Sequence, residues 1–263
     1  YAPHEIVGGA IAFLRRNRPN VQLVLVGDEQ QVTGALRALQ ATTAPVRIVH
    51  APHAVTMDEA PAPALRRKRD TSVAVCMRMA RTGDVDAVIT AGNTGAAAAA
   101  AALEWRTLQG IDRPAIAALV PGPLGATVLI DAGATMNCRP QHLLQFAQMG
   151  VCYAQNLLQR THPVVGLLSV GEENAKGNSV TREAFRLLRE SRLHFYGNVE
   201  GQDLFSGKVD VIVCDGFVGN VALKVMEGMA HGMRMLFERH AARGGMLRAL
   251  QRCGANWPIT DSS

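Results

Sequence analysis

The feature that most constrains this chain is a repeated alternation. Short, almost wholly apolar runs rich in valine, isoleucine and leucine are each followed by a longer stretch with helical spacing. The runs fall at 21–26, 46–49, 87–90, 115–120, 127–130, 164–170 and 209–214, with a shorter one at 193–196. They lack strict apolar–polar alternation, which marks strands buried on both faces of a largely parallel sheet. Helical spacing occupies 5–16, 30–40, 72–81, 95–108, 140–159, 182–191 and 220–240. Asp70 or Thr71 is placed to cap the third of these and Gly83 to end it. Strand–helix alternation with short connections predicts an α/β fold, doubly wound, with a largely parallel sheet and helices on both faces. One connection breaks the rule: 51–69 is long and carries Pro52, Pro61 and Pro63, and is read as a loop, either functional or an ordinary surface excursion.

Composition narrows the function classes. The 263 residues suit a single large α/β domain over 1–263, and 48% apolar with 19% charged residues exclude a disordered chain. Aromatic residues at 5% leave few rings for stacking nucleic-acid bases. The longest apolar run, 96–103, falls far short of the ~20 residues of a membrane span. A net charge of +5 suits an acidic partner, a phosphorylated substrate or an anionic membrane surface. Five scattered cysteines without a C-x-x-C pair point to reduced thiols in a cytoplasmic protein. The chain does not open on methionine, and its natural beginning is expected upstream.

Glycines gather where the predicted strands stop: Gly27, Gly92, Gly133, Gly171 and Gly216. In open parallel sheets that edge lines the ligand crevice. Gly92-Asn93-Thr94-Gly95 and Asp215-Gly216-Phe217-Val218-Gly219-Asn220 each run from a strand into a helix, a form that offers backbone N–H groups and a positive dipole end to an anion. Capping is the plain role for Asn93 and Asn220, and it is compatible with ligand contact. Neither turn is a Walker A or a G-x-G-x-x-G loop, so ATP and dinucleotides lose their warrant. The most polar strand end is 171–178, where Lys176 stands beside Glu172 and Glu173, as a solvated ion pair or as a cation for phosphate or a developing oxyanion. Arg66-Arg67-Lys68-Arg69 is a solvated face or a grip on an acidic partner. His50 and His53 lack metal-ligating company, no metal is expected, and no G-x-S-x-G elbow supports a serine hydrolase. Cys138 and Cys214 read as small buried hydrophobes. Residues 221–252 carry Met-rich amphipathic helices with Val225, Met226, Met229, Met233 and Leu236 in register, suited to core or dimer packing, while the basic apolar tail after 241 suits a membrane surface.

Taken together these motifs resemble the bacterial phosphate acyltransferases of phospholipid synthesis, the PlsX family. The resemblance is carried by Ile48-Val49-His50-Ala51, Met57-Asp58-Glu59, Ala64-Leu65-Arg66, Thr90-Ala91-Gly92-Asn93-Thr94-Gly95-Ala96 and Gly110-Ile111-Asp112-Arg113-Pro114-Ala115. It continues through Asp131-Ala132-Gly133-Ala134, Leu143-Leu144-Gln145-Phe146-Ala147, Gly171-Glu172-Glu173, Lys176-Gly177-Asn178, Gly197-Asn198-Val199-Glu200-Gly201 and Cys214-Asp215-Gly216-Phe217-Val218-Gly219-Asn220-Val221. Against that family's pattern the chain is expected to be truncated at both ends.

The resemblance implies a three-layer architecture like that of isopropylmalate dehydrogenase and phosphotransacetylase. It implies transfer of a fatty acyl group from acyl carrier protein to inorganic phosphate, with no cofactor. Phosphate is then the nucleophile, and the protein needs to orient two groups and stabilise an oxyanion. On this reading Lys176, Asn220 and Asn93 are catalytic, and Gly92, Thr94, Gly95, Gly133, Gly177, Gly216 and Gly219 bind phosphate and substrate. Arg66, Arg67, Lys68 and Arg69 dock the acidic carrier. The family works as a homodimer in the cytoplasm, peripherally associated with the membrane, and nucleic acid has no part. The rival readings are a phosphotransacylase using acyl-coenzyme A, a dehydrogenase of the isopropylmalate class, and a non-catalytic domain that binds carrier protein or membrane.

Overall fold

The apolar runs divide, residue by residue, between the two faces of one sheet. In the computed structural model, which describes residues 2–16 and 21–241, five strands are ordered β3-β4-β7-β5-β6. They are β3 (Ala117–Gly122), β4 (Gly125–Ile130), β5 (Val165–Leu168), β6 (Phe195–Val199) and β7 (Val211–Val213). Val128, Ile130, Val165, Leu167, Val211 and Val213 point to one face, where α6 (Pro140–Leu157) and α7 (Ser179–Glu190) cover them with Leu143, Phe146, Ala147, Ala184 and Leu188. Leu129, Val199 and Ile212 point to the other, beneath α8 (Asp203–Ser206) and α9 (Gly216–Ala241), with Leu204, Ala222 and Met226. A strand whose successive side chains are all buried has to be apolar throughout, which accounts for the unbroken runs. Phe146 is fully buried among them, and Phe146→Ala should cost about 3–5 kcal/mol in a denaturant titration.

A second, two-stranded parallel sheet pairs β1 (Leu23–Gly27) with β2 (Val46–His50). α1 (His4–Arg16) and α2 (Glu29–Ala38) pack on it through Val7, Ile11, Val32 and Leu36. α3 (Pro61–Arg67), α4 (Ser72–Thr82) and α5 (Thr94–Trp105) form a helical cluster around Leu65, Ala74, Met77 and Ala100. Thr71 caps α4 by accepting the Ala74 N–H, and Gly83 ends it in the left-handed conformation, both as the sequence predicts.

The five-stranded sheet is largely parallel, as expected, with β3 antiparallel to β4 in a hairpin. Three expectations need correction. Residues 87–90 form no strand: they join no ladder, and Ile89 is 91% exposed, so the run serves only to send Val88 into the helical cluster. The segment 51–69 is not all loop, because α3 starts with Pro61 in its first turn, where a missing N–H costs nothing. Finally, α9 begins at Gly216 and not at Asn220, because Asp215 provides its cap by accepting the Val218 N–H at 2.9 Å.

Candidate active site at the carboxyl edge of the sheet

β4, β7, β5 and β6 are mutually parallel, so the loops that follow them rise from one edge. The loop after β4 is organised by Asp131, whose side chain is fully buried. Oδ1 accepts the N–H groups of Ile116, Gly133 and Ala134 at 2.9, 3.0 and 2.9 Å, and Oδ2 accepts that of Thr135 at 2.7 Å. A short carboxylate following a strand thereby holds a tight turn closed by four donors. Thr135 in turn accepts the Gly216 N–H on its carbonyl at 2.9 Å, which fixes the start of α9 against the turn. The two meet so closely that a β-carbon at Gly219 would lie 1.9 Å from the Asp131 carbonyl oxygen; only glycine fits there.

With Asp215 doing the capping, the Asn220 side chain is released from that duty. It sits in the second turn of α9, half-buried, and a β-carbon at Gly133 would lie 3.5 Å from its Cγ and 3.6 Å from its Oδ1. Among the described residues its carboxamide has no protein hydrogen-bond partner. Gly133, Gly216, Gly219 and Asn220 are therefore one constellation, drawn from residues more than 80 positions apart. Two thiols flank it. Burial pushes Cys138 up to about 11, and Cys214 higher still, so neither is a thiolate nucleophile near neutrality.

The loop after β5 carries Lys176. The ammonium stands 3.8 Å from Glu173 and is half exposed, while Glu172 pairs with Lys208 instead. Asn198, buried on β6, donates to the Glu173 carbonyl at 2.9 Å and ties the loop to the sheet. Gly177 has φ +96°, which L side chains avoid. Asn178 then caps α7 through the Thr181 N–H at 2.9 Å, so this loop too ends on a helix N-terminus, which the sequence reading placed three residues later. The Ser169 hydroxyl, just after β5, is buried and has no hydrogen-bond partner among the described residues.

Gly92, Asn93, Thr94 and Gly95 form a separate turn. Asn93 caps α5 by accepting the Ala96 N–H at 3.1 Å and donates to the Thr56 carbonyl at 3.4 Å; Gly95 packs on Pro61. Among the described residues no hydrogen bond or ion pair joins this turn to the loops after β4, β5 or β7. Of the basic run, Lys68 is bound to Glu59 at 2.8 Å, which draws the Glu59 carboxyl below its ordinary range, and Arg67 is exposed. Arg66 and Arg69 instead line a groove with Arg78 and Arg81 of α4, two residues that sequence reasoning passed over because they stand a full helix away in the chain.

On the far side of α9, the apolar stripe read from the sequence divides. Met226 packs under the sheet, while Val225, Met229, Met233 and Leu236 are each more than half exposed. No helix among the described residues is long and apolar enough to cross a membrane, and none of their His, Cys, Asp and Glu side chains cluster in threes suited to a metal ion. The basic tail read at 242–252 lies outside the described residues.

Comparison with solved structures returns phosphotransacylases. A phosphotransacetylase from Staphylococcus aureus matches with a TM-score of 0.60 at 15% identity, over 87% of this chain and 80% of that one. A branched-chain phosphotransacylase from Enterococcus faecalis V583 matches with a TM-score of 0.60 at 16% identity, over 87% and 82%. At such identities the likeness is one of fold, and it agrees with the layered α/β architecture expected from the sequence. Sequence relatives are nearer. A phosphate acyltransferase from Pelotomaculum thermopropionicum is 47% identical over 94% of this chain and 72% of its own length, and one from Paraburkholderia phytofirmans is 43% identical over 95% and 68%. The family described as fatty acid synthesis protein matches residues 1–250. With relatives at this identity along nearly its whole length, the chain belongs to the phosphate acyltransferase family.

Proposed function

We propose that this protein transfers a fatty acyl group from the thioester of acyl carrier protein to inorganic phosphate, releasing the carrier thiol and an acyl phosphate for phospholipid synthesis. The observation that carries the reading is the carboxamide of Asn220, without a hydrogen-bond partner among the described residues, beside Gly133 on a rim held by Asp131 at the carboxyl edge of the sheet. The names borne by the relatives support the reaction class.

The chemistry asks little covalent help of the protein. A phosphate oxygen adds to the thioester carbonyl, the tetrahedral oxyanion collapses, the carbon–sulfur bond breaks, and the thiolate takes a proton from water. Asn220 supplies a donor for the oxyanion, since a donor fixed before reaction is worth far more than one in water; the Gly216 and Gly219 N–H groups are spent on the Thr135 and Asp215 carbonyls, so these glycines serve phosphate by letting it approach the positive end of α9. Lys176, with Gly177 and the start of α7, supplies positive charge from the neighbouring loop. Asn93, with Gly92, Thr94 and Gly95, offers a second anion-binding turn at the start of α5. The exposed stripe of α9 is a surface for a second copy of the chain or for peripheral contact with a membrane from its cytoplasmic side.

The test is a donor comparison. Purified protein is incubated with acyl carrier protein thioester or acyl-coenzyme A, each with and without phosphate, and free thiol and acyl phosphate are measured. Phosphate-dependent thiol release with acyl carrier protein as the better donor is expected. Preference for acyl-coenzyme A would reassign the donor, and carrier binding without turnover would leave a binding domain.

A further inference from the structure

We propose that the groove between α3, α4 and α5 seats an acidic amphipathic helix of the carrier protein, gripped by Arg66, Arg69, Arg78 and Arg81. This rests on the carrier-dependent reaction above and assigns it a docking surface different from the linear basic run. The groove encloses about 630 Å³. Its floor is apolar: Leu65, Ala74 and Ala100 are buried, and Leu103 is 49% exposed at the rim. Its walls carry four guanidinium groups and a single carboxylate, Glu104, a net charge of +3 within one depression.

The disposition of those charges selects the occupant. Glu104 reaches Arg78 and Arg81 at 3.3 Å each, and Arg78 also donates to the Arg69 carbonyl at 2.9 Å. Two of the four cations are thus held in place, one helical turn apart along α4. A single compact anion placed between them would meet the Glu104 carboxylate. A row of carboxylates spaced along a helix meets the arginines on the rim while its apolar ridge lies on Leu65 and Leu103, the helix-in-groove mode of recognition. Arg66 and Arg69 have no carboxylate partner among the described residues, so a visitor there breaks no existing ion pair. α5 runs from the Asn93 turn to Leu103 and Glu104, about 18 Å for its 12 residues, so the groove stands one helix length from the anion-binding turn proposed at Asn93.

The test uses the whole chain and apo carrier protein, which reads docking without chemistry, by anisotropy of labelled carrier at low and high salt. Arg66→Glu with Arg69→Glu, and separately Arg78→Glu with Arg81→Glu, are each expected to weaken binding about tenfold or more and to flatten its salt dependence. Arg47→Glu, on the exposed face of β2, is the control and leaves binding unchanged. Circular dichroism establishes folding. Should the Arg78 and Arg81 pair fail to fold for want of the Glu104 contacts, the Arg66 and Arg69 pair decides alone. Wild-type affinity in a folded double variant overturns the groove, as does a wild-type chain that does not bind carrier. Loss of binding to anionic vesicles with carrier binding intact also overturns it, in favour of a lipid surface. The two proposals fail separately: carrier-dependent turnover with unaltered variant binding defeats the groove alone, while groove-dependent binding without phosphate-dependent thiol release defeats the reaction alone.

Discussion

Asp131→Ala should lower the unfolding free energy by about 3–5 kcal/mol and abolish phosphate-dependent turnover at temperatures where the variant is still folded. The substitution removes one small side chain and strands four backbone N–H groups, three in the turn 131–135 and that of Ile116 beside it, around a fully buried position. Asp131→Asn is the sharper probe. It keeps the shape but turns one acceptor oxygen into a donor, which must face either Thr135 or the trio of Ile116, Gly133 and Ala134. It should recover part of the stability and little of the activity, because the start of α9 is held by that turn through the Gly216 to Thr135 hydrogen bond. Denaturant midpoints compared with turnover of the same samples separate the two effects. A variant as stable and active as the parent would mean the turn holds itself without the carboxylate.

The second large effect is confined to chemistry. Asn220→Ala should reduce turnover by roughly 10²–10³-fold, the cost of one fixed oxyanion donor, while stability changes by less than about 0.5 kcal/mol. The separation is expected because, among the described residues, the Asn220 carboxamide makes no hydrogen bond that its removal would break. Asn220→Asp, of equal size but with an acceptor in place of the amide donor, should do at least as badly. Lys176→Ala should also cut turnover by orders of magnitude, with part of the loss recovered by saturating phosphate if the ammonium acts mainly in phosphate binding. Near-normal thiol release in either Asn220 variant would remove that residue from the mechanism.

Much of this architecture could be read from the chain because burial on two faces leaves an unmistakable record. Val128, Leu129 and Ile130 go to alternate sides of the sheet, yet all are apolar, since helices cover both. The glycine turns were legible for a similar reason: Gly219 stands where no side chain has room. What escaped the reading were matters decided by distant parts of the chain. The run at 87–90 has strand composition, but composition does not provide a neighbouring strand. Pro61 and Pro63 look like breakers until they fall in a first helical turn. Asn220 and Asp215 are both good caps by type, and the contact of Gly216 with Thr135 determines that the helix starts at the earlier one. Likewise Arg66 to Arg69 is conspicuous as a run, yet Lys68 is spent on Glu59 and the useful partners of Arg66 and Arg69 are Arg78 and Arg81. Asp131 gave a hint, a small carboxylate between a strand and a glycine, but its four donors are visible only in three dimensions.

The strand order has a further consequence for how the protein comes into being. β7 is the last of the described strands in the chain, yet it fills the slot between β4 and β5. During synthesis, β4 and β5 therefore wait with unsatisfied edges while some forty residues beyond β5 are still being added. The half-sheet cannot close, and the rim holding Gly133 and Asn220 cannot exist, until Val211–Val213 slides into place. Such late, non-local closure makes for slow folding and leaves sticky edges exposed on the ribosome. Any fragment released before that strand emerges is a client for chaperones and not a partly working enzyme.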